Sequence, residues 1–394
     1  MTDSDPYGLP DYDRDGIGVD LPRNNMPTDD LEMLVTFLES RWEKDDVLDS
    51  SYTTYEAKFA PFFQWLQEND LLDDPVQVDS TDVVKFAEDM SSEYSDTTVS
   101  NMLNGLSTFY NYFVRRSSNP EVTNPVRAAK EDLGISPSKR EWPRVSLREM
   151  GDFLQSLKHP RDRAETLLFT KFGVRLSEAH NLDLHDVSID FAPFNRDSYY
   201  ASIETRHELE GRHDVIYIDP DIEAGKQVRG DTRKGGNKRK VPTYLPIDGE
   251  LKHALVRWLA ARPETHNHPT HPLFVGEYSH KMGHYRRHSL SDIPDRIRQR
   301  AEQMGWNDRD GNDITPHFFR HYFTTHHRLS MDDLLVDYIR GDRIGSQRNA
   351  SPSKASSGKA KRDYTQAEWL NIKEPYLQSV YEFGLPRLTV TNSV

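Results

Sequence analysis

The sequence predicts a multidomain chain: a four-helix, all-α domain followed by a larger α+β domain, mostly helical, with a small antiparallel sheet. Three observations lead there. The 394 residues suit two or three domains. Four apolar stripes at helical spacing sit close together near the start of the chain. Further on, three short β-like runs lie among at least six helical patterns.

Residues 1–27 are rich in Asp, Pro and Asn and lack periodicity, so they read as a disordered acidic tail. The first helical stripe is Leu31, Leu34, Val35 and Leu38. The second is Tyr52, Tyr55, Phe59, Phe62 and Leu66, after the cap candidates Ser50 and Ser51. The third follows Ser80 with Val83, Val84 and Phe86. The fourth is Val99, Met102, Leu103, Leu106, Phe109, Tyr110 and Phe113. Together they predict a helical domain over 28–117, with the stripes as its core. Residues 118–145, with four prolines and several bases, read as a linker. Ser146 and Glu149 form a capping box that opens the second domain, 146–394. Helices are expected at 147–157, 162–172, 248–261, 289–303, 316–328, 331–340 and 366–384. Strands are expected at Ser198–Thr205, Val215–Asp219 and Val241–Pro246. Residues 191–213 and the basic, Ser/Gly-rich stretch 343–362 read as insertions.

Composition narrows the chemistry. The chain has no cysteine, which excludes disulfides, thiolate nucleophiles, zinc–cysteine sites and iron–sulfur clusters. It has no apolar run long enough for a membrane helix. The N-terminus has no apolar segment of the secretory kind, so a cytoplasmic protein is expected. The net charge of -14 argues at first against nucleic acid, but residues 1–49 alone carry -10 of it. Asp outnumbers Glu 40 to 24 and Arg outnumbers Lys 33 to 17. This Asp-rich, Lys-poor, Cys-free composition resembles that of proteins from salt-in halophiles such as haloarchaea, in which a negative total is the background. Local basic patches are then the better guide to partners.

Four places carry candidate chemistry. In Gly173-Val174-Arg175-Leu176-Ser177-Glu178 an arginine follows a glycine turn at a helix start, where it can fork two phosphate oxygens. Residues 226–240 hold seven bases and one acid. Within them Arg233-Lys234-Gly235-Gly236-Asn237 reads as a β-hairpin tip suited to a phosphate backbone. In Thr315-Pro316-His317-Phe318-Phe319-Arg320 the proline starts a helix, and His317 and Arg320 share one face. Tyr364 follows the basic insertion; a phenol is a poor nucleophile unless neighbouring cations or a base assist it.

In this order the four motifs resemble the tyrosine recombinase (phage-integrase) family over about residues 28–386, in a form like that of haloarchaeal integrases. The resemblance implies a SAM-like core-binding domain in front of a catalytic domain of the DNA breaking-rejoining fold. It assigns Arg175 and Arg320 to clamp the scissile phosphate, His317 to proton transfer and phosphate bonding, and Lys234 to general acid work, with Lys238 and Lys240 as fallbacks. Glu178 falls on the acidic residue that usually follows the first arginine. Where the family usually has His or Trp after a glycine, this chain has Asp342 in Arg340-Gly341-Asp342. The nucleophile falls on Tyr364, with Tyr376 as the rival and Tyr338 and Tyr381 behind. The chemistry implied needs no metal or cofactor: a 3′-phosphotyrosine link forms, and a free 5′-hydroxyl reverses it. The partners implied are double-stranded DNA with specific sites, a homotetramer on two such sites, and an accessory DNA-bending or directionality protein. Both domains would close around the duplex, and the last helix would dock on a neighbouring copy.

Three alternatives stay open. The chain could bind DNA through a recombinase-like fold without cutting it. It could resolve chromosome or plasmid dimers in place of integrating or excising a mobile element. It could be a metal-dependent nuclease, through His266, His268 and His271 or through the Asp308–Asp313 loop. That loop lacks the acidic twelfth position of a calcium loop, since Phe319 stands there.

Overall fold

The computed structural model describes residues 37, 59, 61–66, 68–69, 71, 78–115, 123–134, 141–266, 268–276, 286–288, 292–308, 311, 313–342 and 369–388. The chain divides into two compact units, Met1–Lys139 and Arg140–Val394. Among the described residues no helix is long and apolar enough to cross a membrane.

The first unit is helical. Helix α1, Ser80–Glu93, opens with an Asp79/Asp82 capping box, and α2, Asp96–Val114, is capped by Ser95. Their expected stripes face inward: Val83, Phe86, Val99, Leu103, Leu106, Phe109 and Tyr110 are buried together with Phe59, Phe62 and Leu66. Edge-on aromatic pairs fill the centre, including Phe62 on Phe86 with ring centroids 5.1 Å apart and Phe37 on Phe109 at 5.4 Å. Leu31, Leu34, Val35, Leu38, Tyr52 and Tyr55 lie outside the described residues.

The stretch expected to be a linker contains a helix. Helix α3, Pro125–Leu133, is capped by Asn124, has proline in its first turn and ends at Gly134 with φ 60°. Val126 and Ala129 are buried in the same core. A proline that reads as a breaker is here a helix starter, because its missing N–H is one the first turn never uses.

The second unit is built around one buried helix. The Ser146 capping box is present, with Ser146 N donating to Glu149 Oε2 at 2.8 Å and Glu149 N to Ser146 Oγ at 3.2 Å. It opens α4, Leu147–Ser156. Helix α5, Pro160–Phe172, is buried on nearly all sides, including Arg161, Glu165 and Lys171. Helix α6, Leu176–Asn181, follows. The sheet has the order β1 (Val187–Ser188), β2 (Val215–Ile218), β5 (Thr243–Pro246), all antiparallel, with Val215 opposite Pro246 and Ile218 opposite Thr243. A separate hairpin pairs β3, Gln227–Val228, with β4, Asp231–Thr232. The strand expected at Ser198–Thr205 is absent. Short helices α7, Ala192–Arg196, and α8, Ser198–Ala201, stand there, since Asp197 caps the second through the N–H groups of Tyr199 and Tyr200. The tyrosines look β-like in sequence, but the cap decides the local conformation.

Helices α9 (Gly249–Ala261), α10 (Asp292–Gln303), α11 (Pro316–His327) and α12 (Asp333–Arg340) complete the second unit, and α13, Trp369–Ser379, closes it. Helix α13, expected to dock on a neighbouring copy, packs here on its own unit: Ile372 and Tyr376 are buried in its core. The segment after it is tied down by charge. Lys171 Nζ, fully buried, pairs with Asp248 and with Glu250 at 2.7 Å and donates to the Tyr381 carbonyl at 3.1 Å. Glu250 accepts in turn from the N–H groups of Phe383 and Leu385.

At the end of α11, His327 is buried, stacked on the Tyr381 ring at 4.2 Å. Burial, reinforced by the Lys171 charge and His326, pushes its pKa down to about 3. In the unfolded chain it takes a proton near pH 6.5. Between these values the unfolded state binds more protons, so this contribution is full above about pH 6.5 and is lost as pH falls toward 3. His327→Leu should therefore flatten the acid limb of stability, a limb worth at most about 5 kcal/mol. Denaturant unfolding at a series of pH values reads this, and parallel curves for the two proteins would rule it out.

Candidate active site

The site begins where α5 stops. Gly173 adopts φ 58°, and a Cβ there would lie 2.9 Å from the Phe323 ring, so only glycine lets the chain turn at this point. The turn places Arg175 at the N-cap of α6. The Arg175 N–H and Nη1 both donate to Glu178, at 2.9 Å each.

Glu178 is fully buried and serves two arginines. Arg239 Nη2 donates to it at 3.1 Å, while Arg239 Nη1 donates to the Ile339 carbonyl at 3.0 Å. Burial alone would raise the pKa of this carboxyl. Arg239 and Arg175 outweigh that cost and hold it below the usual carboxylate range.

Helix α11 supplies the next pair. Pro316 opens it, as expected. Arg320 is 3% exposed, and its Nη1 donates to the carbonyls of Gly173 and, at 2.9 Å, Arg340. Burial and the nearby Arg340 charge lower its pKa to about 10, Asp342 opposing, so it stays cationic at neutral pH. His317 is exposed on the same face. Partial desolvation of its ring against the helix, then the charges of His321, Arg320, Arg340 and Arg175, lower its pKa, so it is neutral near pH 7. Its ring centroid lies 4.8 Å from that of His321.

Helix α12 ends at Gly341, φ 70°, where a Cβ would lie 2.7 Å from the Arg239 side chain. The turn delivers Asp342 to the centre. Asp342 Oδ1 accepts from Arg175 Nη2 at 3.2 Å and from Arg320 Nη2, and Oδ2 lies 3.3 Å from Arg340 Nη2. Three guanidiniums thus converge on one carboxylate, with two of them on a single oxygen. The donors around that oxygen are the planar forks that recognise phosphate as readily as carboxylate.

Of the expected residues, the structure brings together Arg175, Arg320 and Asp342, with His317 near enough to feel the arginine charges. Lys234 is exposed. Its surroundings differ from those expected. The hairpin turns at Arg229 and Gly230, with φ 52° and 84°, and not at Gly235–Asn237. The glycine segment is pinned to α6: Asn181 Nδ2 donates to the Gly235 carbonyl at 2.7 Å, and Ser177 Oγ to that of Gly236 at 2.9 Å. Lys238 and Lys240 are exposed on either side of the buried Arg239.

Tyr364 lies outside the described residues. The other tyrosines are engaged elsewhere. Tyr376, fully buried, donates its hydroxyl to the Lys171 carbonyl at 3.0 Å, and Tyr381 donates to that of Thr170 at 2.5 Å. Burial raises both phenols well above their ordinary pKa. Tyr338 is buried, its hydroxyl accepting from the Tyr244 N–H at 3.0 Å.

Sequence reasoning missed Arg239 and Arg340 as site residues. Alternation in Lys238-Arg239-Lys240 was the available signal for the first, since an extended segment turns its middle side chain to the opposite face. The second adjoins the Arg-Gly-Asp turn. The histidines of the nuclease alternative take separate partners: His266 pairs with Glu264, His268 with Thr270, and His271 with Tyr199. Among the described residues no group of three or more His, Cys, Asp or Glu is placed to hold a metal. Of the Asp308–Asp313 loop, Arg309, Asp310 and Asn312 lie outside the described residues.

An uncharged side chain at 342 would leave Arg175, Arg320 and Arg340 without their shared counter-ion. We predict that Asp342→Asn binds inorganic phosphate about tenfold more tightly than the parent, since charges this close interact by several kcal/mol. The phosphate-dependent rise in melting temperature measures it; an equal rise in both proteins would refute it.

No family model matches the chain. One curated relative, tyrosine recombinase XerC 1 of Ralstonia nicotianae, is 29% identical over 179 residues, which is 44% of this chain and 43% of that protein. The chain thus matches less than half the length of that relative. Among solved structures, the Tn1549 transposon integrase in complex with transposon right end DNA superposes with a TM-score of 0.57 at 16% identity, covering 83% of this chain and 97% of that one. A lambda integrase tetramer bound to a Holliday junction superposes with a TM-score of 0.54 at 11% identity, over 82% and 80% of the two chains. By fold over most of its length, and by sequence over part of it, the chain is similar to the tyrosine recombinases and integrases.

Proposed function

We propose that this chain is a tyrosine-type site-specific DNA recombinase that acts through a 3′-phosphotyrosine intermediate. The observation that carries the reading is the convergence of Arg175 and Arg320 on one oxygen of Asp342, an oxyanion site assembled before any substrate arrives. The scissile phosphate takes that position, and the two guanidiniums hold its non-bridging oxygens and the added charge of the pentavalent transition state. Tyr364 attacks phosphorus; the burial of Tyr338 and Tyr376, and the Tyr381 hydroxyl held by the Thr170 carbonyl, support this assignment by withdrawing its rivals. Lys234 donates a proton to the leaving 5′-oxygen, and His317, kept neutral, exchanges protons at the phosphate or the phenol. Four copies act on two duplexes in the cytoplasm, integrating or excising a mobile element.

One observation favours a second reading, DNA binding without cleavage: Asp342 is seated where the phosphate would go. Covalent trapping separates the two. A duplex selected by the protein from a randomised pool, nicked to prevent religation, is incubated in molar KCl with EDTA. The expected result is an SDS-stable protein–DNA adduct, unaffected by the chelator, lost in Tyr364→Phe and kept in Tyr376→Phe. Tight binding with no adduct would establish the second reading. Loss of the adduct in Tyr376→Phe alone would move the nucleophile to α13.

A further inference from the structure

Lys234 stands between two anchors, and both reach the segment that carries Arg175. On its N-terminal side Arg233 is fully buried and donates from Nη2 to Asp183 Oδ2 at 2.6 Å. Its Nη1 lies 3.3 Å from Asp231 of β4. Arg287 closes the cage, donating from Nη2 to Asp183 Oδ1 at 2.5 Å and from Nε to Asp231 at 2.8 Å. Its Nη1 also donates to the His180 carbonyl at 2.7 Å. On the C-terminal side, Asn181 and Ser177 hold the carbonyls of Gly235 and Gly236. Asn181 and Ser177 lie on α6, the helix that Arg175 caps.

A solvated basic turn needs none of this. Taking Arg233 and Asp183 fully, and Arg287 and Asp231 largely, out of water is costly unless their mutual pairing is close and well directed. Here the pairing surrounds a lysine that is itself exposed.

We propose that Asp183 is a positioning residue for proton donation: through Arg233 it fixes the backbone of Lys234 relative to Arg175. The proposal rests on the recombinase reading and on Lys234 as its general acid. In that step the tyrosine hydroxyl gives its proton to the neutral His317, a bond forms between the tyrosine oxygen and phosphorus, the bond from phosphorus to the 5′-oxygen breaks, and the Lys234 ammonium gives that oxygen a proton. With sulfur in place of the bridging 5′-oxygen, the leaving group departs as a thiolate and needs no proton. A defect in the acid, or in what positions it, then disappears, whereas a defect in the phosphate clamp remains.

The test compares two versions of the selected duplex, one with the ordinary phosphodiester and one with a 5′-bridging phosphorothiolate at the mapped cleavage position. Asp183→Asn should slow adduct formation about 100-fold on the first, the scale of a misplaced catalytic group, and by less than about threefold on the second. Lys234→Ala should show the same contrast. Because Asp183 is buried between arginines, Asn181→Ala serves as a milder second variant acting on the other anchor, and its contrast should run the same way. Equal losses on both duplexes in Asp183→Asn and Asn181→Ala, with melting temperatures near the parent's, would overturn the positioning role, as would full activity of both on the phosphodiester. Failure of sulfur to rescue Lys234→Ala would overturn it by removing Lys234 as the acid. No adduct from the parent chain on either duplex would instead overturn the recombinase reading on which the proposal rests.

Discussion

The arrangement of the site depends on one buried carboxylate. Glu178 lies at the start of a six-residue helix, yet it joins three parts of the chain that are remote in sequence. It holds Arg175 within its own turn. It also holds Arg239, whose other nitrogen binds the Ile339 carbonyl and so fixes the end of α12. That end carries Gly341 and Asp342. A carboxylate with no solvent contact survives as an anion only when its charge is matched and its lone pairs are filled, and two guanidiniums with a backbone N–H do both. The interaction is therefore specific in a way a surface pair is not: removing either arginine would leave an oxygen of a buried carboxylate short of a donor.

The same logic recurs elsewhere in the second unit. Lys171 pairs with Asp248 and Glu250 to secure the segment after α13, and Asp183 gathers Arg233 and Arg287 behind the glycine segment. These pairs are short and shielded, so dissolved salt screens them far less than it screens charges on the surface. The exposed Lys234, Lys238 and Lys240 are open to that screening. The overall charge is thus a poor guide to what the site does, and the paired, buried charges are a better one.

Much of this was legible in the sequence. The stripes of α1 and α2, the Ser146 capping box and the proline start of α11 are local signals, and each depends on a few neighbouring residues. Arg175, Arg320 and Asp342 could be picked out by motif order, and the structure brings them to one point. What local signals misjudged depended on context. Tyr199 and Tyr200 look β-like until Asp197 caps the turn. Pro125 looks like a break until Val126 and Ala129 are seen to bury. The hairpin tip was misplaced because two glycine-containing turns compete, and only the contacts of Asn181 and Ser177 decide which one is pinned. Arg340 and Arg239 were missed because a buried arginine has the same letter as a solvated one; their role appears only when the carboxylates they serve are located.

The shared counter-ions of the site also set a charge inventory. Arg175, Arg239, Arg320 and Arg340 are balanced by Glu178 and Asp342, and the depressed pKa of His317 keeps it from adding to the total. The cluster is left with two uncompensated positive charges. A bound monoanion leaves one of them unmet, whereas a dianion brings the whole to neutrality. An ensemble balanced in this way favours a species that gains a negative charge after it has bound, and such a preference for the later, more highly charged state is what separates catalysis from tight binding.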